Sequence, residues 1–383
     1  MTTLSPDTAT TSLYERLGVR PIINARGNNT VLGGSTPSPR VRQAMLDAER
    51  SYVDMQQLLD RAGERVAELL GCEAAYITPG AAAALALGTA ACITGNDADK
   101  VARLPDTSGL KDTVLIQPGH HYHYERAVTV PGTHLVEVGD ASGTSAAQLE
   151  AALTPSVATV LVPAHMDGVP GTLTLRQVNE IAHARGVPVI TDAAGRVYPI
   201  ERFKMYAREG ADLVAFGAKY LGALNASGIL CGRRDLVTAA ATHGFMGFET
   251  VAWGKSFGRP LKLDRQTIVA VVAALEEWLE TDHEARVAAY ERRLRAMVDQ
   301  LDAAPGVTLT VRSSEGPSPR VLHIEIDPTQ ARLDGDALNR ALLTGTPAIA
   351  VVHDAANALT INPVTVRPED DERIVARLRE LLA

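Results

Sequence analysis

The amino-acid sequence predicts an α/β protein with a mostly parallel seven-stranded sheet and a smaller C-terminal α+β domain. Seven short apolar runs rich in valine and isoleucine lie between residues 74 and 232, and helix-like segments separate them. Strands that alternate with helices form parallel sheets covered by helices on both faces. This alternation of strands and helices ends after residue 232. A chain of 383 residues is also longer than most domains with a single hydrophobic core. A large domain and a smaller one are therefore expected.

The seven runs are almost continuously apolar, as is typical of strands that are buried on both faces. They are AAYIT (74–78), TVLIQ (113–117), HLVEV (134–138), TVLVPA (159–164), PVITDAA (188–194), DLVAFGA (212–218) and GILCG (228–232). Helical patterns such as LRQVNEIAHARG (175–186), which ends at a glycine followed by Val-Pro, connect them.

The C-terminal part has a different pattern. Residues 265–302 form one long helical pattern, and strands near 307–312 and 319–326, a helix, the strands IAVVHD and ALTIN, and a closing helix follow. We expect residues 1–12 to be a disordered tail, residues 13–264 to form an N-terminal segment with the large domain, and residues 265–383 to form a linking helix with the small domain.

Composition excludes several classes of protein. The net charge of −8 argues against a nucleic-acid surface, which needs concentrated positive charge. No run approaches the roughly 20 apolar residues of a membrane helix. The three cysteines form no CxxC pair, which favours buried thiols in a reducing cytoplasm.

Chemistry is expected at the carboxyl ends of parallel strands, where ligands gather in α/β sheets. The run ITPGAAAALAL (77–87) ends a strand at Thr78, turns through Pro79-Gly80 and enters an alanine-rich helix. Free amide groups at such a helix start can bind a phosphate, although a turn without a ligand has the same pattern.

Two charged residues follow neighbouring apolar strands. Asp192 in PVITDAAG follows an apolar strand, where a buried carboxylate needs a cation or hydrogen-bond donors. It could pair with a protonated pyridine nitrogen, cap the start of a helix or bind a metal. Among only six lysines, Lys219 alone directly follows a buried strand. Partial burial there would keep its amine reactive, although a lysine that reaches water is the ordinary alternative.

Two loops complete the candidate site. The run QPGHHYHYERAV (117–128) contains three histidines and two tyrosines, which suits stacking on a planar cofactor better than a zinc site. The run SFGRPLKLDR (256–265) contains Arg259, which could bind a carboxylate or phosphate or simply be solvated.

These segments together resemble one family of pyridoxal-5′-phosphate (PLP) enzymes, which contains bacterial selenocysteine synthase (seryl-tRNA selenium transferase) and D-glucosaminate-6-phosphate ammonia-lyase. The likeness spans about residues 13–383. It implies an aspartate-aminotransferase-like fold (PLP fold type I) and a PLP cofactor. The residues that carry it are RPIINARGNNTVLGGSTPS (20–38), TDAAG (191–195), GADLVAFGAKYLGALNASGILCGRRDLV (210–237) and GRPLKLDRQTIVAVVAALEEWL (258–279).

The resemblance assigns a role to each candidate. Lys219 is the Schiff-base lysine, Asp192 pairs with the pyridinium, and one histidine, His120, stacks on the ring. The phosphate is held by Thr78, Gly80, Ala81 and Ala82. Arg26, His165 and Arg259 are expected to bind the substrate, and no metal is expected. Homodimers or larger homo-oligomers with shared active sites are implied, so Arg259 is expected to serve a neighbouring subunit.

Three departures from the wider PLP group matter. The position three residues before the lysine, often a hydroxyl residue, is Phe216, and Thr360 and Asn362 occupy the stretch where related enzymes carry a carboxylate-binding arginine. The selenium transferase also has an extra N-terminal region for tRNA and a more basic surface. This chain begins its fold near residue 13 and is acidic, so a tRNA role is not expected.

The function predicted first is a PLP-dependent lyase that converts a hydroxylated amino acid into a 2-oxo acid and ammonia, with Lys219 as general base. A racemase or epimerase needs the same proton removal and is the nearest alternative, followed by an aminotransferase. A non-catalytic PLP-binding protein and a zinc enzyme built on His120, His121 and His123 are alternatives from other classes.

Overall fold

The computed structural model describes residues 12–208, 211–250, 256–301, 304–314 and 318–382. They form two compact units: the large unit is Gly33–Thr281, and the small unit combines the segment up to Leu32 with the segment from Asp282 onward. The tail expected over residues 1–12 lies outside the described residues except for Ser12. Strands and helices of these described residues are numbered β1–β12 and α1–α14 in chain order.

The large unit contains the seven-stranded sheet that the sequence predicts. Its strands run in the order β2-β8-β7-β6-β5-β3-β4, and only β8 is antiparallel to its neighbours, so the sheet is mostly parallel. Each strand overlaps one of the predicted runs. They are β2 (Ala74–Thr78), β3 (Thr113–Ile116), β4 (His134–Glu137), β5 (Val157–Pro163), β6 (Val189–Asp192), β7 (Leu213–Gly217) and β8 (Gly228–Gly232).

Helices cover this sheet. The alanine-rich α4 packs against strands β5 to β8 and is buried from Ala83 to its end, because its small side chains allow a close approach. The helices of the large unit are α2 (Pro39–Glu49), α3 (Met55–Leu70), α4 (Ala81–Thr94), α5 (Ala98–Arg103), α6 (Ala146–Ala152), α7 (Leu175–Ala184), α8 (Ile200–Arg208), α9 (Arg234–His243), α10 (Gly247–Thr250) and α11 (Arg265–Glu280).

The small unit is built on a five-stranded sheet in the order β1-β11-β12-β10-β9. Its core joins apolar residues of β10, β11 and β12 with those of the three long helices. The elements are α1 (Leu13–Arg16), β1 (Ile22–Ala25), α12 (His283–Gln300), β9 (Val307–Ser313), β10 (Arg320–Ile326), α13 (Gly335–Thr344), β11 (Ala348–Ala355), β12 (Ala358–Ile361) and α14 (Asp371–Leu382).

The single long helix expected over residues 265–302 is two helices. Asp282 ends the continuity because its carboxylate accepts a hydrogen bond from Ala285 N and caps the start of α12. The division into units also differs from the expected boundary at 264/265. Helix α11 packs on α2 and α3 of the large unit, whereas β1 pairs in parallel with β11 of the small unit.

Membrane helices are not found in the part of the chain that the structure describes, since none of its helices is both long and apolar enough.

Candidate active site

The turn between β2 and α4 presents the first amide groups of α4. Gly80, at the N-cap of the helix, has a left-handed φ of 98°, and none of the described side chains caps this end. The Thr78 hydroxyl donates to the carbonyl oxygen of Gly80 at 3.0 Å and fixes the turn. Ala82 is exposed and Ala81 half-buried, so their small side chains leave the amides accessible. This end of α4 is suited to an anion.

Strand β8 lies directly against this turn. A Cβ atom at Gly228 would lie 2.5 Å from the carbonyl carbon of Gly80 and 2.8 Å from Ala81 N. Gly228 is paired with Thr78, the last residue of β2. Only glycine therefore allows the strand and the turn to come this close, and the strand fixes the position of the helix start.

Asp192 ends β6 and is 5% exposed. Its Oδ2 accepts a hydrogen bond from the Tyr122 hydroxyl at 2.6 Å, and its Oδ1 accepts one from Ala194 N at 3.0 Å. Burial raises the pKa of Asp192, while the Tyr122 hydrogen bond, the Ala194 amide and the field of His165 act against that rise. No basic side chain of the described residues forms an ion pair with it, so the carboxylate is suited to a cationic partner.

Lys219 lies in the single helical turn Ala218–Leu221 that directly follows β7. Strands β6 and β7 are parallel neighbours, with Asp192 opposite Ala215, so Asp192 and Lys219 follow the same edge of the sheet. Partial burial lowers the pKa of Lys219, which favours its neutral, nucleophilic form. Its Nζ lies 5.2 Å from the centroid of the Tyr220 ring, which packs against Gly217.

The histidine-rich loop after β3 places its side chains in three different environments. His120 is fully buried, burial lowers its pKa, and its Nε2 has no hydrogen-bond partner within the described chain. His121 lies at the surface between Glu125 (2.8 Å) and Glu137 (3.0 Å). Tyr122 contacts Asp192. The stacking role expected for His120 stays a prediction, and the aromatic side chain in direct contact with Asp192 is Tyr122.

The three residues expected to bind substrate are distributed over both units. His165 follows β5 in the large unit, and its ring meets that of Tyr122 edge-on at 5.2 Å. Arg259 also belongs to the large unit, is 40% exposed and lies 3.5 Å from Glu249. Arg26 follows β1 in the small unit, and its side chain is exposed. The geometry therefore brings His165 to the Asp192 environment and leaves Arg26 and Arg259 as expectations.

The positions that depart from the wider PLP group have structural roles. Phe216 is fully buried and packs edge-to-face on Phe203 at 4.8 Å. Thr360 exchanges hydrogen bonds with His323 and Asp354 within the small unit. Asn362 caps the short turn that follows β12.

The large unit has features that fit each reactive part of PLP. The free amides of α4 fit the phosphate, the buried carboxylate of Asp192 fits a protonated pyridine nitrogen, and the half-buried amine of Lys219 fits the aldehyde carbon. No group of three or more metal-binding side chains occurs within the residues that the structure describes.

The sequence pattern alone does not distinguish Tyr122 from its aromatic neighbours. The sequence contained a signal for it, because the crowded aromatic loop was expected to lie beside a cofactor. The pattern alone could not distinguish between its three histidines and two tyrosines.

Comparison with known proteins shows the family of the chain. The family model described as L-seryl-tRNA selenium transferase matches residues 22–380. A 5′-C-glycyluridine monooxygenase-decarboxylase from a Streptomyces species is 34% identical to this chain. The alignment covers 96% of this chain and 92% of the length of that relative. D-Glucosaminate-6-phosphate ammonia lyase from Salmonella typhimurium is 30% identical over 97% of this chain and 98% of its own.

Solved structures show the same fold. A structure of D-glucosaminate-6-phosphate ammonia-lyase has a TM-score of 0.84 and 28% identity, and covers 97% of this chain and 98% of its own. An aspartate aminotransferase from Thermus thermophilus has a TM-score of 0.52 at 16% identity over 98% of this chain and its own full length. The aspartate-aminotransferase-like fold expected from the sequence is confirmed. The chain therefore belongs to the L-seryl-tRNA selenium transferase family, and it is a PLP-dependent enzyme as the members of that family are.

Proposed function

We propose that this enzyme is a lyase that removes water from a hydroxylated amino acid and yields a 2-oxo acid and ammonia. The observation that carries the proposal is the half-buried Lys219, which follows the same edge of the sheet as Asp192, in a chain 30% identical to an ammonia lyase over almost its whole length. A lysine with a lowered pKa at this position can act as a base on the substrate.

In this proposal each part of the site has one task. Bound PLP supplies an electron sink for the electron pair that is left when the α-carbon loses its proton. The amides of Ala81 and Ala82 hold the phosphate, and Asp192 holds the pyridine nitrogen in its protonated form. Lys219 Nζ takes the proton from the α-carbon, which its lowered pKa favours because more of the amine is neutral.

The atoms balance without a further reagent. The β-hydroxyl leaves with a proton as water, and the released enamine takes up water to give the 2-oxo acid and ammonia. The overall change therefore converts one hydroxylated amino acid into one 2-oxo acid and one ammonia molecule.

The proposal extends to the substrate contacts and the assembly. Arg26, His165 and Arg259 bind the substrate, and Arg259 acts from a neighbouring subunit of a homodimer or larger homo-oligomer. The exposure of Arg259 and its long contact to Glu249 (3.5 Å) support this, because such a pair in water is weak and leaves the guanidinium available. The three unpaired cysteines support a cytoplasmic location.

A second candidate is oxidative decarboxylation, which the 34% identity to a monooxygenase-decarboxylase favours. It differs from elimination in its co-substrate and products, because it consumes O₂ and releases CO₂. Racemisation and transamination also begin with removal of the α-proton. Racemisation yields the amino acid with inverted configuration, and transamination transfers the amino group to a 2-oxo acid.

A substrate panel distinguishes these reactions. The purified PLP-loaded enzyme is incubated with D- and L-hydroxy amino acids, and 2-oxo acid, ammonia, optical rotation, O₂ and CO₂ are followed separately, with Lys219→Ala as the inactive control. We expect equal amounts of 2-oxo acid and ammonia without O₂ uptake. Inversion without ammonia, or O₂-dependent CO₂ release, would contradict the lyase proposal and identify the alternative.

A further inference from the structure

We infer that Tyr122 is a positioning residue that directs the carboxylate of Asp192 toward the pyridine nitrogen of the cofactor. The inference rests on the proposed pairing of Asp192 with that nitrogen. Its basis is the hydrogen bond of 2.6 Å from the Tyr122 hydroxyl to Asp192 Oδ2.

The donors of the chain hold both oxygens of Asp192 and still leave acceptor positions for the cofactor. A carboxylate offers about four acceptor positions on its two oxygens. Tyr122 occupies one on Oδ2 and Ala194 N occupies one on Oδ1 at 3.0 Å, so each oxygen is held by one donor of the chain. With Asp192 only 5% exposed, water has little access to the other positions. A ring N–H can therefore bind a carboxylate whose orientation is already fixed.

The charges of the pair also agree with this role. Burial and the neighbouring Asp192 carboxylate raise the pKa of Tyr122, so the shared proton stays on the tyrosine. The same hydrogen bond is the strongest of the contacts that oppose the burial-induced rise in the pKa of Asp192. Tyr122 thus helps to keep Asp192 ionised, as it must be to pair with a protonated ring nitrogen.

Tyr122 is itself held in place. Its backbone N donates to Glu125 Oε2 at 2.9 Å, and the same oxygen bonds His121 Nδ1 at 2.8 Å. His121 has its other ring nitrogen 3.0 Å from Glu137. Partial burial lowers the pKa of His121, but the hydrogen bonds to Glu125 and Glu137 raise it, and the net shift is upward. The charged form of His121 therefore stabilises the loop. The tyrosine is therefore a fixed donor on a braced loop.

The test compares Tyr122→Phe with the wild type and with Asp192→Asn. PLP affinity of the apo-protein, the visible absorption of the bound cofactor against pH, and kcat and KM are measured for each. Tyr124→Phe is the matched control, because that ring is 66% exposed and meets Tyr122 only edge-on at 6.3 Å.

We expect Tyr122→Phe to bind PLP about tenfold more weakly, because Asp192 loses the hydrogen bond that orients its carboxylate and favours its ionised form. Its spectral titration should move toward that of Asp192→Asn, and kcat should fall with KM nearly unchanged. Glu125→Ala should give a smaller change in the same direction, because it loosens the loop without removing the hydroxyl.

Three results have distinct meanings. A normal spectrum and affinity in Tyr122→Phe, with Asp192→Asn altered, would overturn the role of Tyr122 and leave the proposed pairing intact. Tighter PLP binding in Tyr122→Phe would also overturn it, because Tyr122 would then compete with the cofactor for Asp192. An unaltered spectrum in Asp192→Asn would show that the proposed pairing itself is wrong.

Discussion

Replacement of Gly228 with alanine tests whether the turn before α4 holds the cofactor phosphate. The added Cβ atom would lie 2.5 Å from the carbonyl carbon of Gly80, whereas ordinary contacts begin at 3.4 Å. Both partners are backbone, so no side chain can rotate away. The turn or the strand must therefore move by about 1 Å, since close-packed interiors leave no other space.

The size of the effect follows from the contacts that this shift disturbs. A hydrogen bond from a backbone amide to a charged phosphate contributes about 1.5–3 kcal/mol. Loss of one such bond raises the dissociation constant for PLP by about ten- to a hundredfold, because about 1.4 kcal/mol corresponds to a factor of ten. Overpacking should also lower the free energy of unfolding by about 1–3 kcal/mol.

The assay is titration of the apo-protein with PLP, followed by visible absorbance, together with denaturant unfolding. Gly195→Ala is the matched control, because its Cβ atom would meet the Tyr220 ring at an ordinary distance of 3.7 Å. We expect weaker PLP binding only in Gly228→Ala. Unchanged PLP affinity in a normally folded Gly228→Ala protein would place the phosphate elsewhere.

Three other variants test the partner of the ring nitrogen, the sharing of the active site between subunits, and the buried histidine. Asp192→Asn should retain the fold and lose turnover by several orders of magnitude, and near-normal turnover would mean that the ring nitrogen needs no anionic partner. Arg259→Ala should raise KM or the PLP dissociation constant by about ten- to a hundredfold. Mixing it with Lys219→Ala should restore a fraction of active sites, and no recovery despite proven subunit exchange would rule out a shared site. Burial lowers the pKa of His243 to about 4, so the fold keeps it neutral while the unfolded chain takes up a proton below pH 6.5. Stability should then fall by about 3 kcal/mol between pH 6.5 and 4, and His243→Gln should lack this loss in urea unfolding. Parallel pH profiles would contradict this explanation.

The sequence predicted the central sheet well because most of its strands, such as β5, β6, β7 and β8, are buried on both faces. Strand β4 is largely exposed, contrary to the expectation that all seven strands are buried. The runs at 74–78 and 228–232 coincide with β2 and β8. Glu73 and Pro79 flank the first run, and Gly228 and Gly232 mark the ends of the second. The strand ends then indicated Asp192 and Lys219, because parallel topology gathers carboxyl ends at one edge.

Features that depend on distant partners could not be predicted in this way. Strand β1 is only four residues long and is defined by its pairing with β11, more than 300 positions later. The break at Asp282 lies within an otherwise continuous helical pattern, and an aspartate there is compatible with a helix or a cap. The contact of Tyr122 with Asp192 joins a loop to the end of strand β6, 70 positions further along the chain.

Borohydride reduction tests whether PLP is covalently attached to Lys219. Purified enzyme loaded with PLP should be yellow, and reduction should fix the cofactor irreversibly to the protein. Digestion and mass spectrometry then identify the labelled residue among the six lysines. We expect the label on the peptide that contains Lys219 and no label in the Lys219→Ala protein. Label on Lys255 or Lys262 would contradict it.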